Sequence, residues 1–146
     1  AEAEPNFAIQ GGFKINWKPE LWSNNEELAQ LNDAELFLLF SIPDGFQPSI
    51  SIQSFEGFSS AKIFLDNVSY PHRQVSKIEF GPSGETGIRT SIGEANGSQF
   101  HYIERVLFNQ KTGLIYVATA ERPVDEIGND ELWESTRKVL NSFRLG

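Results

Sequence analysis

The feature that most constrains the fold is a series of four strand patterns between residues 75 and 121, each separated from the next by a turn signal. The turn containing Asn96-Gly97 is a strong hairpin signal, because a type I′ turn needs positive φ at both central residues. The pattern therefore predicts an antiparallel meander. Its strands are VSKIEF, ETGIRTSI, SQFHYIERVLFN and GLIYVATAE.

The third of these strands has two unequal faces. Alternation places Glu104 on an otherwise apolar face with Phe100, Tyr102, Val106 and Phe108. The opposite face is mixed and holds Gln99, His101, Ile103, Arg105 and Leu107. We expect the first face to contact the core.

Three shorter strands are predicted before the meander. Phe13, Ile15 and Trp17 alternate with polar residues, which is typical of a half-buried strand. The apolar run Leu36–Ile42 is too short for a buried helix and predicts a strand covered on both faces. Pro43-Asp44-Gly45 predicts the turn into a third strand, SISIQSF.

Two short helices are predicted between these strands. Ser23 and Glu26 match a capping box, which opens a helix with Leu28 and Leu31 directed inward. The second helix lies in SSAKIFLDNV. Ser59 or Ser60 caps it, and its inward face carries Ile63, Phe64 and Val68.

A longer amphipathic helix closes the sequence, with Asn129 or Asp130 as its N-cap. A helix of this length is marginal alone, so its stability must come from packing on the sheet. We therefore predict one α+β domain over residues 1–146. The apolar stripe of the helix consists of Leu132, Trp133, Thr136, Val139, Leu140 and Phe143.

Charge and composition exclude several classes of function. The net charge of −8 disfavours nucleic-acid binding, which depends on cations that neutralise phosphates, and it disfavours adsorption to anionic lipid. The absence of cysteine removes disulfides, thiolate catalysis and Cys-ligated metals. No apolar run approaches the ~20 residues that a membrane-spanning helix needs.

The N-terminal sequence AEAEPN suggests a secretory route. It is typical of a mature end left by signal-peptide cleavage, and it equally resembles the Glu-Ala remnant of a yeast secretion leader added for expression. Residues 1–6 are therefore interpreted as a native tail or an added one. The two sequons, at Asn67 and Asn96, are not assigned a role.

Both ends of the chain resemble the PsbP-like domain family. GFKINWKPELW resembles the family's opening strand and the loop that ends in a buried tryptophan, here Trp22, and VLNSFRL resembles its final helix. The family includes the extrinsic photosystem II subunit PsbP, a yeast Ran-binding import factor and bacterial DcrB- and LpqN-type lipoproteins. The resemblance implies an α/β/α sandwich around a twisted antiparallel sheet, and mostly non-enzymatic accessory or binding roles. It transfers no functional residue.

No catalytic or metal-binding motif stands out. His72 lies in a loop and His101 on the mixed face of the long strand, and no nucleophile-elbow motif surrounds any serine. Clustered acids at 125–126 and 130–131 match no ligand spacing, and GPSGETG lacks the Lys-Ser/Thr ending of a P-loop. We predict no catalytic residues, no metal and no cofactor.

Aromatic side chains are the remaining candidates for a site. Most are expected in the core, including Trp17, Trp133, Tyr102 and Tyr116. Four others are less well explained and are predicted to form an exposed binding patch, since large exposed apolar patches mark interaction sites. They are Trp22, Phe46, Phe55 and Phe58.

The sequence thus favours a secreted or cell-envelope accessory protein, periplasmic or lumenal, that binds a protein partner. It is expected not to span a membrane, not to bind nucleic acid, and to be a monomer or weak oligomer. One alternative is a module that binds a small molecule or carbohydrate in an apolar cavity. Another is a carboxylate-dependent hydrolase with two acids facing one cleft.

Overall fold

The computed structural model describes residues 6–8, 13–41, 48–82, 84–95, 97–124 and 130–145. These residues form a mixed α+β structure with two antiparallel sheets. The elements in chain order are β1 (Asn6–Ala8), β2 (Phe13–Asn16), β3 (Trp22–Asn24), α1 (Glu26–Leu31), β4 (Leu36–Phe40), β5 (Ser49–Phe55), α2 (Ala61–Asn67), β6 (Arg73–Phe80), β7 (Thr86–Ala95), β8 (Ser98–Asn109), β9 (Leu114–Pro123), α3 (Asp130–Ser142) and β10 (Arg144–Leu145).

The larger sheet has seven strands in the order β3-β4-β5-β9-β8-β7-β6. All of its neighbouring pairs are antiparallel. The predicted meander is confirmed: β6 to β9 are neighbours in sequence order and make up four of the seven strands, and Gly97 in the β7–β8 turn has a φ of +79°. Asn96 and the predicted turn at 43–45 lie outside the described residues.

Different helices pack on the two faces of this sheet. Alternating residues of β9 separate the layers: Tyr116 and Ala118 belong to the cluster that contains α3, and Ile115 and Val117 belong to the cluster that contains α2. The helices therefore enclose the sheet from opposite sides. The predicted α+β class, with a large antiparallel sheet between helices, is confirmed.

The stripe of α3 supplies much of the larger core, as its period predicts. Leu132, Val139, Leu140 and Phe143 are buried with side chains of β2, β4, β5 and β9. Just past the helix, β10 pairs with β2, placing Arg144 opposite Lys14. This pairing fixes the end of the helix, and no periodicity in the sequence predicts it, because a two-residue strand has too few residues to show one.

The predicted first cap is wrong by two residues. Ser23 pairs with Leu39 within the sheet, and Asn25 caps α1 by accepting a hydrogen bond at Oδ1 from the Leu28 N–H at 2.9 Å. The helix then buries Ala29, while Leu31, predicted to point inward, is 75% exposed. Strand pairing of residues 22–24 overrode the capping-box pattern.

The second helix is confirmed with a different inward face. Ser60 caps it by accepting from the Ile63 N–H at 3.1 Å. Because the helix begins at Ala61, its buried side chains are Ala61, Phe64 and Leu65. Ile63, predicted to point inward, is 42% exposed. In β4, alternate side chains are fully buried and the others half-buried, so the second face is covered only in part.

We predict that Phe143→Ala lowers the free energy of unfolding by about 3–5 kcal/mol, because it leaves a cavity in the larger core. The Phe143 ring is fully buried and packs edge-on against Phe13 with centroids 5.7 Å apart. Urea unfolding followed by circular dichroism measures the change. Leu145→Ala, at a 39% exposed position in β10, is the control and should cost less than about 1 kcal/mol. Equal losses in both variants would contradict this account.

Candidate functional site

Trp22 does not belong to an exposed surface. Its side chain is 1% exposed, its ring packs edge-on against Phe40 at 5.1 Å, and its indole N–H donates to Ser135 Oγ at 2.6 Å. The strand that carries it pairs with β4 and directs the ring under α3. The prediction of an exposed binding role for Trp22 is therefore wrong, whereas the family resemblance, which implies a buried tryptophan at this point, is consistent with its position.

Phe55 and Phe58 lie on the opposite side of the sheet from Trp22. Both are half-buried against Phe64 of α2, with ring centroids 5.1 and 5.0 Å away. Phe46 lies outside the described residues. The rings of Trp22, Phe55 and Phe58 thus do not share one patch, and a binding role for Phe55 and Phe58 stays a prediction.

A buried ion pair lies between the sheet and α2. Arg89 of β7 holds Glu104 of β8 with two parallel hydrogen bonds, Nε to Oε1 at 2.7 Å and Nη2 to Oε2 at 2.9 Å. The same guanidinium donates to the Val68 carbonyl at 2.6 Å just after α2. This explains why a glutamate occupies the apolar face of the long strand: its charge is paired and its oxygens accept hydrogen bonds.

A second arginine extends this cluster toward solvent. The guanidinium of Arg73 lies 4.2 Å from the Tyr70 ring centroid and 3.8 Å from that of Tyr102, so it is held between two aromatic faces. Its Nη1 is 3.9 Å from Glu104 Oε1. Its buried Nε has no hydrogen-bond partner in the described part of the chain.

The carboxyl group of Glu121 lies beside this cluster and has a raised pKa. Partial burial raises the pKa of Glu121, and the positive charge of Arg73, with a smaller effect of His72, acts in the opposite direction. Burial also raises the pKa of Tyr102, and the Glu121 charge adds to that rise. These groups are adjacent because Tyr102 and Glu121 are register partners across β8 and β9.

Neither histidine is arranged as a catalytic base. His101 accepts at Nδ1 a hydrogen bond from Arg122 Nε at 3.2 Å, and His72 is exposed. Burial, with a smaller effect of the Arg122 charge, lowers the pKa of His101. Arg122 itself lies 4.7 Å from the centroid of the Trp133 ring, so this group of side chains ties β8 and β9 to α3.

A groove of about 350 Å³ runs between α3 and the segment that follows β2. Trp17, Leu21 and Val139 give it an apolar floor, and the buried Oδ1 of Asn16 has no hydrogen-bond partner among the described residues. The remaining lining residues are polar or charged. They are Lys18, Glu131, Glu134, Ser135, Lys138 and Ser142.

Glu131 and Glu134 line this groove, and the contact of Glu134 does not support hydrolysis. A catalytic acid is a carboxyl group kept protonated by an apolar or anionic environment. Glu134 instead pairs with Arg137 at 2.6 Å on the helix surface. The described contacts thus lend no support to the carboxylate-dependent hydrolase.

A second opening lies where α3 stops covering the sheet. Arg105 of β8 donates from Nη1 to the Leu140 carbonyl at 2.5 Å, which marks the edge of the covered region. Beyond it, Ile88 and Ile92 of β7 lie on the same face of the sheet, each 40% exposed. We call Ile88, Ile92 and Arg105 the shelf. A cleft of about 320 Å³ adjoins it, lined in part by Ile88, Arg105 and Asn141.

The described residues contain no group of three or more His, Asp or Glu side chains that could hold a metal ion. Within the same ranges, no helix is long and apolar enough to cross a membrane.

The arrangement of sheet and helices is that of the Mog1/PsbP-like fold. The Ran-binding protein Mog1p of Saccharomyces cerevisiae matches with a TM-score of 0.63 and 11% identity over 98% of this chain and 96% of that chain. LpqN, involved in cell envelope biogenesis of Mycobacterium tuberculosis, matches with a TM-score of 0.63 and 15% identity over 98% and 90%. A protein from Bacteroides thetaiotaomicron matches with a TM-score of 0.55 and 14% identity, over 99% of this chain and 49% of that one.

No protein-family model and no curated protein sequence matches the chain. The likeness is therefore one of fold, at low sequence identity, and it agrees with the fold implied by the PsbP-like resemblance of the two chain ends.

We predict that Glu121→Gln stabilises the protein at neutral pH relative to the wild type. Because burial raises the pKa of Glu121 in the folded state above its ordinary value of 4.5, the folded state binds the proton more tightly than the unfolded state. The stabilisation from the tighter proton binding is fully present below about pH 4.5. It is lost as the pH rises through the folded-state pKa and Glu121 becomes charged in its partly buried site.

Urea unfolding of both proteins between about pH 4 and pH 8 measures this difference. The free energy of unfolding of Glu121→Gln should exceed that of the wild type by an amount that grows with pH and vanishes at about pH 4. A wild type that gains stability over the variant as the pH rises would contradict the assignment.

Proposed function

We propose that this chain is a non-catalytic accessory protein that binds another protein through the shelf. The observation that carries this proposal is the exposure of Ile88 and Ile92 on the part of the α3 face of the sheet that the described helices leave open. Ile88 and Ile92 lie on the same face of β7 with Thr90 between them, and exposed apolar side chains rimmed by polar groups are typical of interaction sites.

The surroundings of the shelf suit a protein surface. Glu79 and Gln74 of β6 lie opposite Ile88 and Ile92 in the sheet register, so the apolar pair has a polar border. Arg105 is fixed at its inner margin by the Leu140 carbonyl, and arginine is enriched at protein interfaces. The adjoining cleft offers a pocket for one anchoring side chain of the partner.

We also propose that the protein acts outside the cytoplasm, as a secreted or cell-envelope protein. The fold that this chain shares with LpqN, a protein involved in cell envelope biogenesis, supports this proposal. Immunodetection of the native protein in fractionated cells is the direct test, and recovery in the cytosol alone would overturn the location.

We predict that Ile88→Ser/Ile92→Ser weakens partner capture at least about 10-fold, because two apolar side chains lose their burial at the interface. The measurement is a quantitative pull-down from native envelope and culture medium with the immobilised full chain. Ile63→Ser is the matched control, since Ile63 is 42% exposed on α2, on the other side of the sheet.

Support requires a protein that wild type and Ile63→Ser capture and that the double variant loses. A partner retained equally by all three proteins would move the site away from the shelf. Circular dichroism of each variant checks that the fold is kept, which we expect because these positions are partly exposed.

The groove along α3 favours a second candidate function, the binding of a small molecule. Its volume lies within the range of ligand pockets, its floor is apolar, and Glu134, Ser135 and Lys138 supply polar groups among its lining residues. A carbohydrate or a small amphipathic molecule with a hydroxyl or amine group fits these features.

We predict that such a ligand changes the fluorescence of the wild type, because Trp17 lines the groove. Leu21→Glu should abolish the change by placing a charge on the apolar floor, whereas Leu31→Glu, at a 75% exposed position in α1, should leave it intact. Titration with soluble oligosaccharides and short-chain amphiphiles is the measurement. A response that Leu21→Glu leaves unaltered would place binding elsewhere.

A further inference from the structure

The outer edge of β6 is a second candidate interaction surface, separate from the shelf. This strand is the outermost of its side of the seven-stranded sheet, and all its residues except Arg73 are exposed. In the described ranges of the chain, no strand pairs with its outer side. Unpaired edge strands are templates for pairing with another chain.

The backbone of β6 presents a short hydrogen-bonding segment to solvent. The Gly81 N–H donates to the Thr86 carbonyl at 3.0 Å, so Gly81 faces β7. Backbone groups alternate in direction along an antiparallel strand, which turns the N–H and C=O of Ile78 and Phe80 outward. The register shifts between Val75 and Lys77, so the regular segment begins at Lys77.

The side chains of this segment divide between the two faces. Ile78 and Phe80 are 39% and 38% exposed, and the register pairs Ile78 with Arg89 on the α2 side of the sheet. Lys77 and Glu79 occupy the other face and pair with each other at 3.1 Å. The segment is therefore apolar on one face and carries one charge of each sign on the other.

We propose that β6 pairs with β6 of a second copy of this chain, antiparallel, with the two-fold axis at Ile78. In that register the outward N–H and C=O of each Ile78 bond to those of the other copy. Lys77 of each copy then lies opposite Glu79 of the other, which forms two symmetric pairs of opposite charge. Opposite charges at directly facing positions stabilise strand pairing, and like charges destabilise it.

The charges of Lys77 and Glu79 favour this register over the registers with the two-fold axis one residue away. Opposing residues must share a face, so the nearest alternatives move the axis by one residue. An axis at Lys77 sets Lys77 against Lys77, and an axis at Glu79 sets Glu79 against Glu79. Only the axis at Ile78 pairs both charges favourably, so the sequence Lys-Ile-Glu is complementary to itself when read in reverse.

The same geometry limits the strength of the dimer. The regular segment runs only from Lys77 to Phe80, so the paired area falls below the roughly 1,200 Å² that stable interfaces bury. Two chains of net charge −8 also repel each other at long range. The dimer therefore forms in a concentration-dependent way. It uses the edge of β6 and does not depend on a partner at the shelf.

Sedimentation velocity of the full chain over a range of concentrations up to about 1 mM tests the proposal. The wild type should dimerise, and Lys77→Glu should weaken association at least about 10-fold, because both opposite-charge pairs become like-charge pairs. Glu79→Lys should do the same. The double variant Lys77→Glu/Glu79→Lys reverses both charges, restores the pairing and should recover the wild-type affinity.

Ile78→Pro supplies a second, backbone test. Proline is tolerated in an edge strand where its missing N–H faces solvent, so the monomer should fold while the hydrogen bonds at the two-fold axis are lost. Recovery in the double charge variant together with loss in Ile78→Pro supports the pairing. A wild type that stays monomeric at all concentrations, or a double charge variant no stronger than either single variant, overturns it. Ile88→Ser/Ile92→Ser should leave self-association unchanged, which separates this proposal from the shelf.

Discussion

The packing of α3 on the large sheet is the contact on which the rest of the structure depends. Its stripe fills the larger core, and β10 ties its end to β2, so the two termini of the described chain meet on one side of the sheet. The position of this one helix also defines both openings. The groove lies between α3 and the segment after β2, and the shelf begins where α3 ends its cover at Arg105. The helix α3 therefore both stabilises the fold and borders the two candidate binding sites.

The other side of the sheet is organised by charge. Arg89 and Glu104 are almost fully buried, and their pairing would cost free energy through desolvation unless the geometry were good. The parallel hydrogen bonds and the Val68 carbonyl provide that geometry, and they connect β7, β8 and the end of α2. Removing either charge would leave the other buried without its partner, which is strongly destabilising. The nearby Arg73 and Glu121 extend the same network to the surface.

Most of the fold could be predicted from the sequence, and most of the site could not. The meander, the strand at 49–55 and the stripe of α3 appear as periodic patterns, because each buries a regular face. The cap of α1, the inward face of α2 and the strand β10 depend on strand pairing or helix start, which periodicity does not encode. Trp22 was predicted at the surface because its environment is made by Phe40 and Ser135, of which Ser135 is 113 residues away in sequence.

The sequence by itself determined the class of protein: an acidic α+β chain without cysteine, with an antiparallel meander and a closing amphipathic helix. These properties are local or compositional, and they hold whatever the elements pack against. Only the tertiary structure decided which apolar residues stay uncovered, because Ile88 and Ile92 carry the same alternation as buried strand residues. Whether such a side chain belongs to a core or to an interface depends on how far α3 reaches across the sheet. That reach is a property of packing between distant segments, and the sequence pattern of β7 does not contain it.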